Sequence, residues 1–279
     1  MPRDIPHRLE LEGLCVEGWS RAGEATWLRV QPPGVAFDVG RGAVELSGVR
    51  DVFLSHVHLD HVLGLPFLLS RHARDGAETT RVYCPAAAVE DLRRFVAAAE
   101  RLDGHAFRYE LRGLEAGDGV TLTRRYRVEA FATDHVLPSL GYHLVEKRHR
   151  LAEELRGRAP AELAELRRQG IEIEEAFELD RFSYCGDTSV AVFESEPRLL
   201  RTRALAIECT YLGSDRRAEA ARYKHLAFED LEAWADRLEN EDLILHHLSR
   251  RHRLADLAHR VRQSFGERPI RVHWIPDQE

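Results

Sequence analysis

The sequence predicts a mixed α/β protein built on short strands, with one charged arm inserted in its second half. Three observations carry that expectation. Short runs rich in β-branched and aromatic residues alternate with amphipathic helical patterns along most of the 279 residues. Turn residues, such as Pro32-Pro33-Gly34, separate the runs. Residues 147–180 interrupt this alternation with a charged, helix-prone stretch that has few residues able to form a core.

Taken in order, "HRLELEGLCVEG", "ATWLRVQ", "VAFDVG" and "DVFLSH" read as strands. "GLPFLLSRHA" reads as a helix, "TRVYCP" as a strand, and "AAAVEDLRRFVAAAERL" as an Ala-rich helix with apolar residues at helical spacing. "FRYEL", "GVTLT", "YRVEAFATDH" and "LGYHLVE" are further strands. The stretch 147–180 is expected to be a helical excursion, broken at Pro160 and Gly170. Alternation resumes with "RFSYCGD", "ALAIECTYL", "HLAFEDLEAWADRL", "DLILHHL", "RLADLAHRVRQSF" and "IRVHWI". Leu231, Trp234, Ala235 and Leu238 fall on one helical face, which suits plain core. No internal repeat or low-complexity linker is visible. The expectation is one domain over 1–279 with an arm at about 147–180.

Composition narrows the function classes. A hydrophobic content of 44% suits a globular protein. No segment approaches the roughly 20 apolar residues needed to span a membrane, and nothing near the start resembles a signal peptide. Cys15, Cys84, Cys185 and Cys209 lack C-x-x-C spacing, which argues against a disulfide framework or a cysteine zinc site. A reducing cytoplasm is the expected compartment. The formal charge of −7 weighs against a nucleic-acid partner, since phosphate binding relies on Lys and Arg. Acids spent on metal ligation are not free surface charge, however, and two dications would offset four of those seven charges.

One stretch concentrates chemistry. In "FLSHVHLDHVLGLP", His56, His58, Asp60 and His61 follow an apolar strand. Residues two apart in extended chain point the same way, so His56 and His58 can share a target, with Asp60 and His61 beyond the turn. A polar, histidine-rich loop is the ordinary alternative. Imidazoles with a carboxylate suit zinc, with manganese or iron also possible.

Here the sequence resembles the metallo-β-lactamase fold family and, within it, ribonuclease Z, the endonucleases that trim the 3′ end of precursor tRNA. "SHVHLDHVLGLP" resembles the family's signature loop, and "TDHVLPSLGY" its second histidine motif, with His135. "YCGDTS" is similar to the G-D-T motif, giving Asp187. "LHHLSRRH" is similar to H-F-S-x-R-Y, which points to His247 rather than His246. "IECTYL" is similar to E-[AS]-T-[FY], giving Glu208, and "YKHLAFED" to the G-H-[LI] helix start, giving His225.

The resemblance implies an αββα sandwich of two mixed sheets, with helices outside and two metal ions, expected to be zinc, at one rim. His56, His58 and His135 would hold one ion, Asp60, His61 and His247 the other, and Asp187 both. Ions ~3.5–4 Å apart can steady both the attacking and the leaving oxygens of a phosphodiester. The resemblance also implies that Asp60 orients the attacking hydroxide. Glu208 would orient His225, which donates a proton to the departing ribose oxygen. Ser249 and Arg251 are candidates for holding a phosphate oxygen. A homodimer is implied in which one subunit's arm serves the other's site.

Two departures concern the substrate. The long bacterial arm with its Gly-Pro motif is absent, and 147–180 looks more like the shorter arm of the compact enzymes known from plants. The P-x-K-x-R-N loop that senses the CCA end in many relatives is also missing. Lys147, Arg148, Arg150, Arg156, Arg158, Arg167 and Arg168 make the arm a candidate RNA contact, but Glu146, Glu153, Glu154, Glu162 and Glu165 interleave with them. A phosphodiesterase for small or cyclic nucleotides, and a non-catalytic binding protein, are the alternative readings.

Overall fold

The computed structural model describes residues 5–276. A meander of β1 (His7–Leu11), β2 (Leu14–Arg21), β3 (Ala25–Gln31) and β4 (Val35–Phe37) pairs antiparallel, and β5 (Asp51–Phe53), β6 (Thr80–Pro85) and β7 (Tyr109–Leu114) add in parallel. The second sheet repeats the pattern. There β8 (Gly119–Thr121), β9 (Tyr126–Ala132), β10 (Leu140–Leu151) and β11 (Glu174–Tyr184) are antiparallel, and β12 (Ala204–Glu208), β13 (Asp242–His246) and β14 (Arg271–Trp274) are parallel. Both sheets therefore share one topology, three antiparallel pairings then three parallel ones, with no repeat visible in the sequence.

Parallel strands need crossovers, and most of these carry helices. In the first half they are α1 (Leu59–Val62) and α2 (Leu65–Arg74) after β5, and α3 (Val89–Asp103) after β6. The arm carries α4 (Pro160–Arg168). In the second half they are α5 (Val192–Ser195) after β11, α6 (Arg217–Tyr223) and α7 (Phe228–Trp234) after β12, and α8 (Leu254–Phe265) after β13.

The layers follow from which faces are apolar. Val16, Leu28, Phe37 and Phe53 of the first sheet meet Tyr142, Phe182, Tyr184 and Ile244 of the second in one core. The Phe37 ring lies 5.2 Å from that of Tyr184 and 5.7 Å from that of Phe182, joining the sheets at their centre. Trp27, Val52, Leu68 and Val96 form a second core beneath α2 and α3. Phe193, Ile207, Phe228 and Leu257 form a third beneath α5, α7 and α8. The order is helix, sheet, sheet, helix, as expected. Among the described residues, no helix is long and apolar enough to cross a membrane.

Two local expectations are corrected. "HRLELEGLCVEG" is two strands, because Gly13 takes φ +70 and turns the chain between Leu11 and Leu14. The arm is only partly the expected helical excursion: β10 runs on to Leu151 and β11 starts at Glu174, forming a two-stranded stem, while a 3-10 turn at Glu153–Leu155 and α4, between Pro160 and Gly170, make up its tip. There β10 carries the basic run Lys147–Arg150, and β11 brings Glu175 and Glu178 opposite it. Lys147 faces Glu178 and Arg150 faces Glu175 across the ladder, so opposite charges support the ribbon. The tip also has a small core of its own, with Ala152, Leu155 and Ile173 packed against Leu163 and Leu166.

Candidate metal centre

The carboxyl ends of strands from both sheets meet at one rim. β5 runs out into Ser55–His58, α1 carries Asp60 and His61, and β12 and β13 end at Glu208 and His246. The loop between β9 and β10 brings His135, and the segment after β11 brings Asp187. The glycine of "GLP" is needed for this docking. A Cβ on Gly64 would lie 1.8 Å from the amide nitrogen of Gly42, so only glycine lets α1 and α2 seat against that loop.

Seven side chains named from the sequence converge. His56, His58, His135 and Asp187 form one donor group, and Asp60, His61 and His247 another. His58 Nδ1 lies 3.0 Å from His56 Nε2 and 3.3 Å from His135 Nε2. Asp187 Oδ2 lies 3.6 Å from His56 Nε2, while its Oδ1 lies 3.5 Å from His61 Nε2. Asp187 thus faces both groups. His247 Nε2 is 3.4 Å from His61 Nε2 and 3.3 Å from Asp60 Oδ2. His246 points away: its Nε2–H donates to the Cys185 carbonyl at 2.9 Å, and burial lowers its pKa to about 3.

Hydrogen bonds on the far side of four of these rings fix which nitrogen faces the cluster. His61 Nδ1–H donates to Asp38 Oδ2 at 2.8 Å, and His56 Nδ1–H to Ser55 Oγ at 3.0 Å. The Ser55 hydroxyl in turn donates to Asp38 Oδ2 at 2.7 Å. His247 Nδ1–H donates to Thr210 Oγ1 at 3.0 Å, and His135 Nδ1–H to the Lys224 carbonyl at 3.3 Å. Asp38, Thr210 and Lys224 were not singled out from the sequence. An acid closing the apolar run "VAF" was the one available signal for Asp38. Among the described residues, the non-glycine residues with positive φ are Asp38, Lys224 and His247, and all three border this site.

The donor set fits divalent cations. Nitrogens of different imidazole rings face one another across 3.0–3.4 Å, and Asp187 Oδ1 is buried without a hydrogen-bond donor. Burial pushes His56 well down in pKa, which keeps it neutral and ligand-competent. Burial alone would raise the Asp187 carboxyl, but the surrounding histidines, His247 and His61 foremost, hold it well below the ordinary carboxylate range. These features suit a bound divalent metal.

Beside the cluster, Glu208 is buried with both oxygens occupied. Oε1 accepts from His225 Nδ1 and from the Thr188 amide, each at 2.8 Å. Oε2 accepts from the Thr210 hydroxyl at 2.5 Å and from the Leu226 amide at 3.2 Å. Burial opposes charging His225, yet the Glu208 carboxylate and its hydrogen bond raise the pKa to about 9. His225 Nδ1 is 4.0 Å from Asp187 Oδ2. Both line a cleft of about 570 Å³ with His58, Asp60 and His247.

Ser249 and Arg251 line the same cleft, with the exposed Arg251 guanidinium 3.2 Å from Glu219. The arm residues lie elsewhere, along the ribbon. Arg148 is 2.9 Å from the fully buried Glu146, Arg150 is 2.6 Å from Glu175, and Lys147 is exposed.

A helix–sheet–sheet–helix sandwich with a His/Asp cluster at one rim defines the β-lactamase superfamily class, and residues 33–248 match the family model described as "Beta-lactamase superfamily domain". The chain is 32% identical over 261 residues to ribonuclease Z of Thermobifida fusca, covering 83% of this chain and 80% of that protein. It is 27% identical over 252 residues to tRNase Z TRZ1 of Arabidopsis thaliana, covering 89% and 90%. Human tRNase Z, short form, shares the fold with a TM-score of 0.63 at 20% identity, over 95% of this chain and 97% of that one. The metallo-β-lactamase fold protein YhfI of Bacillus subtilis shares it with a TM-score of 0.65 at 13% identity, over 95% and 98%. The chain belongs to the ribonuclease Z family of this superfamily.

Proposed function

We propose that the protein is a zinc-dependent endoribonuclease that removes the 3′ trailer from precursor tRNA. One observation carries the chemistry: a histidine held on a buried glutamate, His225 on Glu208 at 2.8 Å, stands beside two sets of metal-donor side chains in one cleft. The names of the relatives support the substrate.

In this reading His56, His58 and His135 hold one zinc, Asp60, His61 and His247 the second, and Asp187 both. The ions would supply Lewis acidity at the phosphate and a water activated near neutral pH. Asp60, whose Oδ2 accepts from the Gly23 amide at 2.8 Å, is held where it can orient that water. A ribose alkoxide is a poor leaving group, so a proton donor is needed. Glu208 keeps a proton on His225 Nδ1, leaving Nε2–H to donate to the departing oxygen. The Glu208 carboxylate, 2.8 Å from Nδ1, favours the charged imidazole that can give up this proton.

Ser249 and Arg251 hold a phosphate oxygen at the cleft mouth, and Lys147, Arg148 and Arg150 contact RNA backbone along the ribbon. The protein acts in the cytoplasm as a homodimer, each arm serving its partner's site. A phosphodiesterase for small or cyclic nucleotides is the second reading. It is favoured by an arm in which seven cations face nine acids over residues 147–180. The deciding experiment incubates zinc-loaded protein with a 3′-extended precursor tRNA and with cyclic nucleotides, and maps the RNA product end. A cut at the trailer junction supports the first reading; turnover of cyclic nucleotides alone transfers the assignment to the second.

A further inference from the structure

Lys224 has a backbone conformation that disfavours an L-residue, φ +55, at the end of α6, immediately before His225. Three contacts tie this residue to the site, and the second of them requires a cationic side chain. Its carbonyl accepts the Nδ1–H of His135 at 3.3 Å. Its ammonium donates to Asp134 Oδ1 at 2.7 Å. Its left-handed turn lets the His225 amide bond the Ala220 carbonyl at 2.9 Å, which aims the His225 ring at Glu208.

These contacts close a ring. From Glu208 the path runs to His225, through the peptide to Lys224, and across the ion pair to Asp134. The Asp134 amide donates to Thr188 Oγ1 at 3.1 Å, and the Thr188 amide returns to Glu208 at 2.8 Å. Ser189 adds a second tie, its amide donating to the Asp134 carbonyl at 2.9 Å and its hydroxyl to the Asp134 carboxylate. His135, Asp187 and His225 are each next in sequence to a member of this ring or belong to it. Three loops distant in sequence are thereby locked to one another.

We infer that Lys224 is a positioning residue, whose ion pair with Asp134 keeps the His225 ring in register with Glu208. The inference rests on the function proposed above for the kinetic part of its test and on geometry alone for the rest. Removing the ammonium frees the segment before His225, so proton donation suffers more than substrate binding.

The test uses the full chain, with Lys224→Met, Asp134→Asn, the double variant and Lys224→Arg. For a ribonucleotide diester, Lys224→Met should lower kcat about ten-fold with KM unchanged. Bis(p-nitrophenyl) phosphate, whose leaving group hardly needs a proton, should respond by less than about two-fold. Asp134→Asn should match Lys224→Met, the double variant should be no worse than either, and Lys224→Arg should recover the rate. Equal losses on both substrates, or additive single effects, would overturn the inference. Solvent exchange of the His225 Nδ1 proton, read by NMR, needs no turnover. It should quicken at least about ten-fold in Lys224→Met. Unchanged exchange overturns the inference even if the protein proves to cut no RNA.

Discussion

Asp38 Oδ2 accepts the Nδ1–H of His61 at 2.8 Å, and neither side chain exposes any surface. The same oxygen also accepts from Ser55 Oγ and from the Tyr184 hydroxyl, at 2.7 and 2.6 Å. One buried carboxylate therefore orients His61 directly and His56 through Ser55. Asp38→Asn should keep the fold, since asparagine tolerates the φ of +54 there. It should weaken zinc binding about 10–100-fold, as measured by competition with a chelator. An unchanged affinity would mean that Asp38 serves folding only.

Asp187 faces both donor groups with different oxygens. Asp187→Ala should reduce zinc at both positions together, and elemental analysis after zinc loading should fall from about two ions per chain toward none. Retention of one full equivalent would show that the two positions fill independently of this carboxylate.

His225→Ala should retain its metal yet cleave RNA about 10²-fold or more slowly. The loss should shrink with bis(p-nitrophenyl) phosphate. A comparable loss on the two substrates would remove His225 from the role of proton donor.

The ribbon offers a clean cut. Joining Glu146 to Leu179, which face each other across the ladder, by a short Gly/Ser turn removes the outer ribbon with Lys147, Arg148, Arg150 and α4. Hydrolysis of small diesters should be nearly unchanged. KM for precursor tRNA should rise and its dependence on salt should flatten, because backbone contacts by Lys and Arg are screened by salt. If both substrates respond alike, the outer ribbon is scaffolding or a subunit contact.

A pH effect is expected far from the metal site. Asp242, at the start of β13, accepts from Arg271 Nε and His273 Nε2, both at 2.8 Å. Burial alone would raise its pKa, but the hydrogen bonds of His273 and Arg271 lower it to about 2. A depressed carboxylate adds stability above its unfolded pKa and loses it as pH falls through the folded one. The contribution, about 2 kcal/mol, should be complete above about pH 4 and vanish near pH 2. Denaturant unfolding of Asp242→Asn against the parent should show a gap that closes over that window. A gap constant with pH would assign the effect to packing.

What the sequence determined by itself is what is local or carries a pattern. The alternation of strands and helices, and the placement of His56, His58, Asp60 and His61 after an apolar strand, are written within short windows. His135, Asp187, Glu208, His225 and His247 are far apart in the chain, and they were legible through motifs whose order matched a family. The tertiary structure alone brought forward Asp38, Thr210 and Lys224, because each holds a histidine at least 23 residues away, and no local pattern records a hydrogen bond across that distance. The same holds for the arm. Its interleaved charges satisfy helical and extended readings alike, and only the pairing of Lys147 with Glu178 and Arg150 with Glu175 decides for a ribbon at its base.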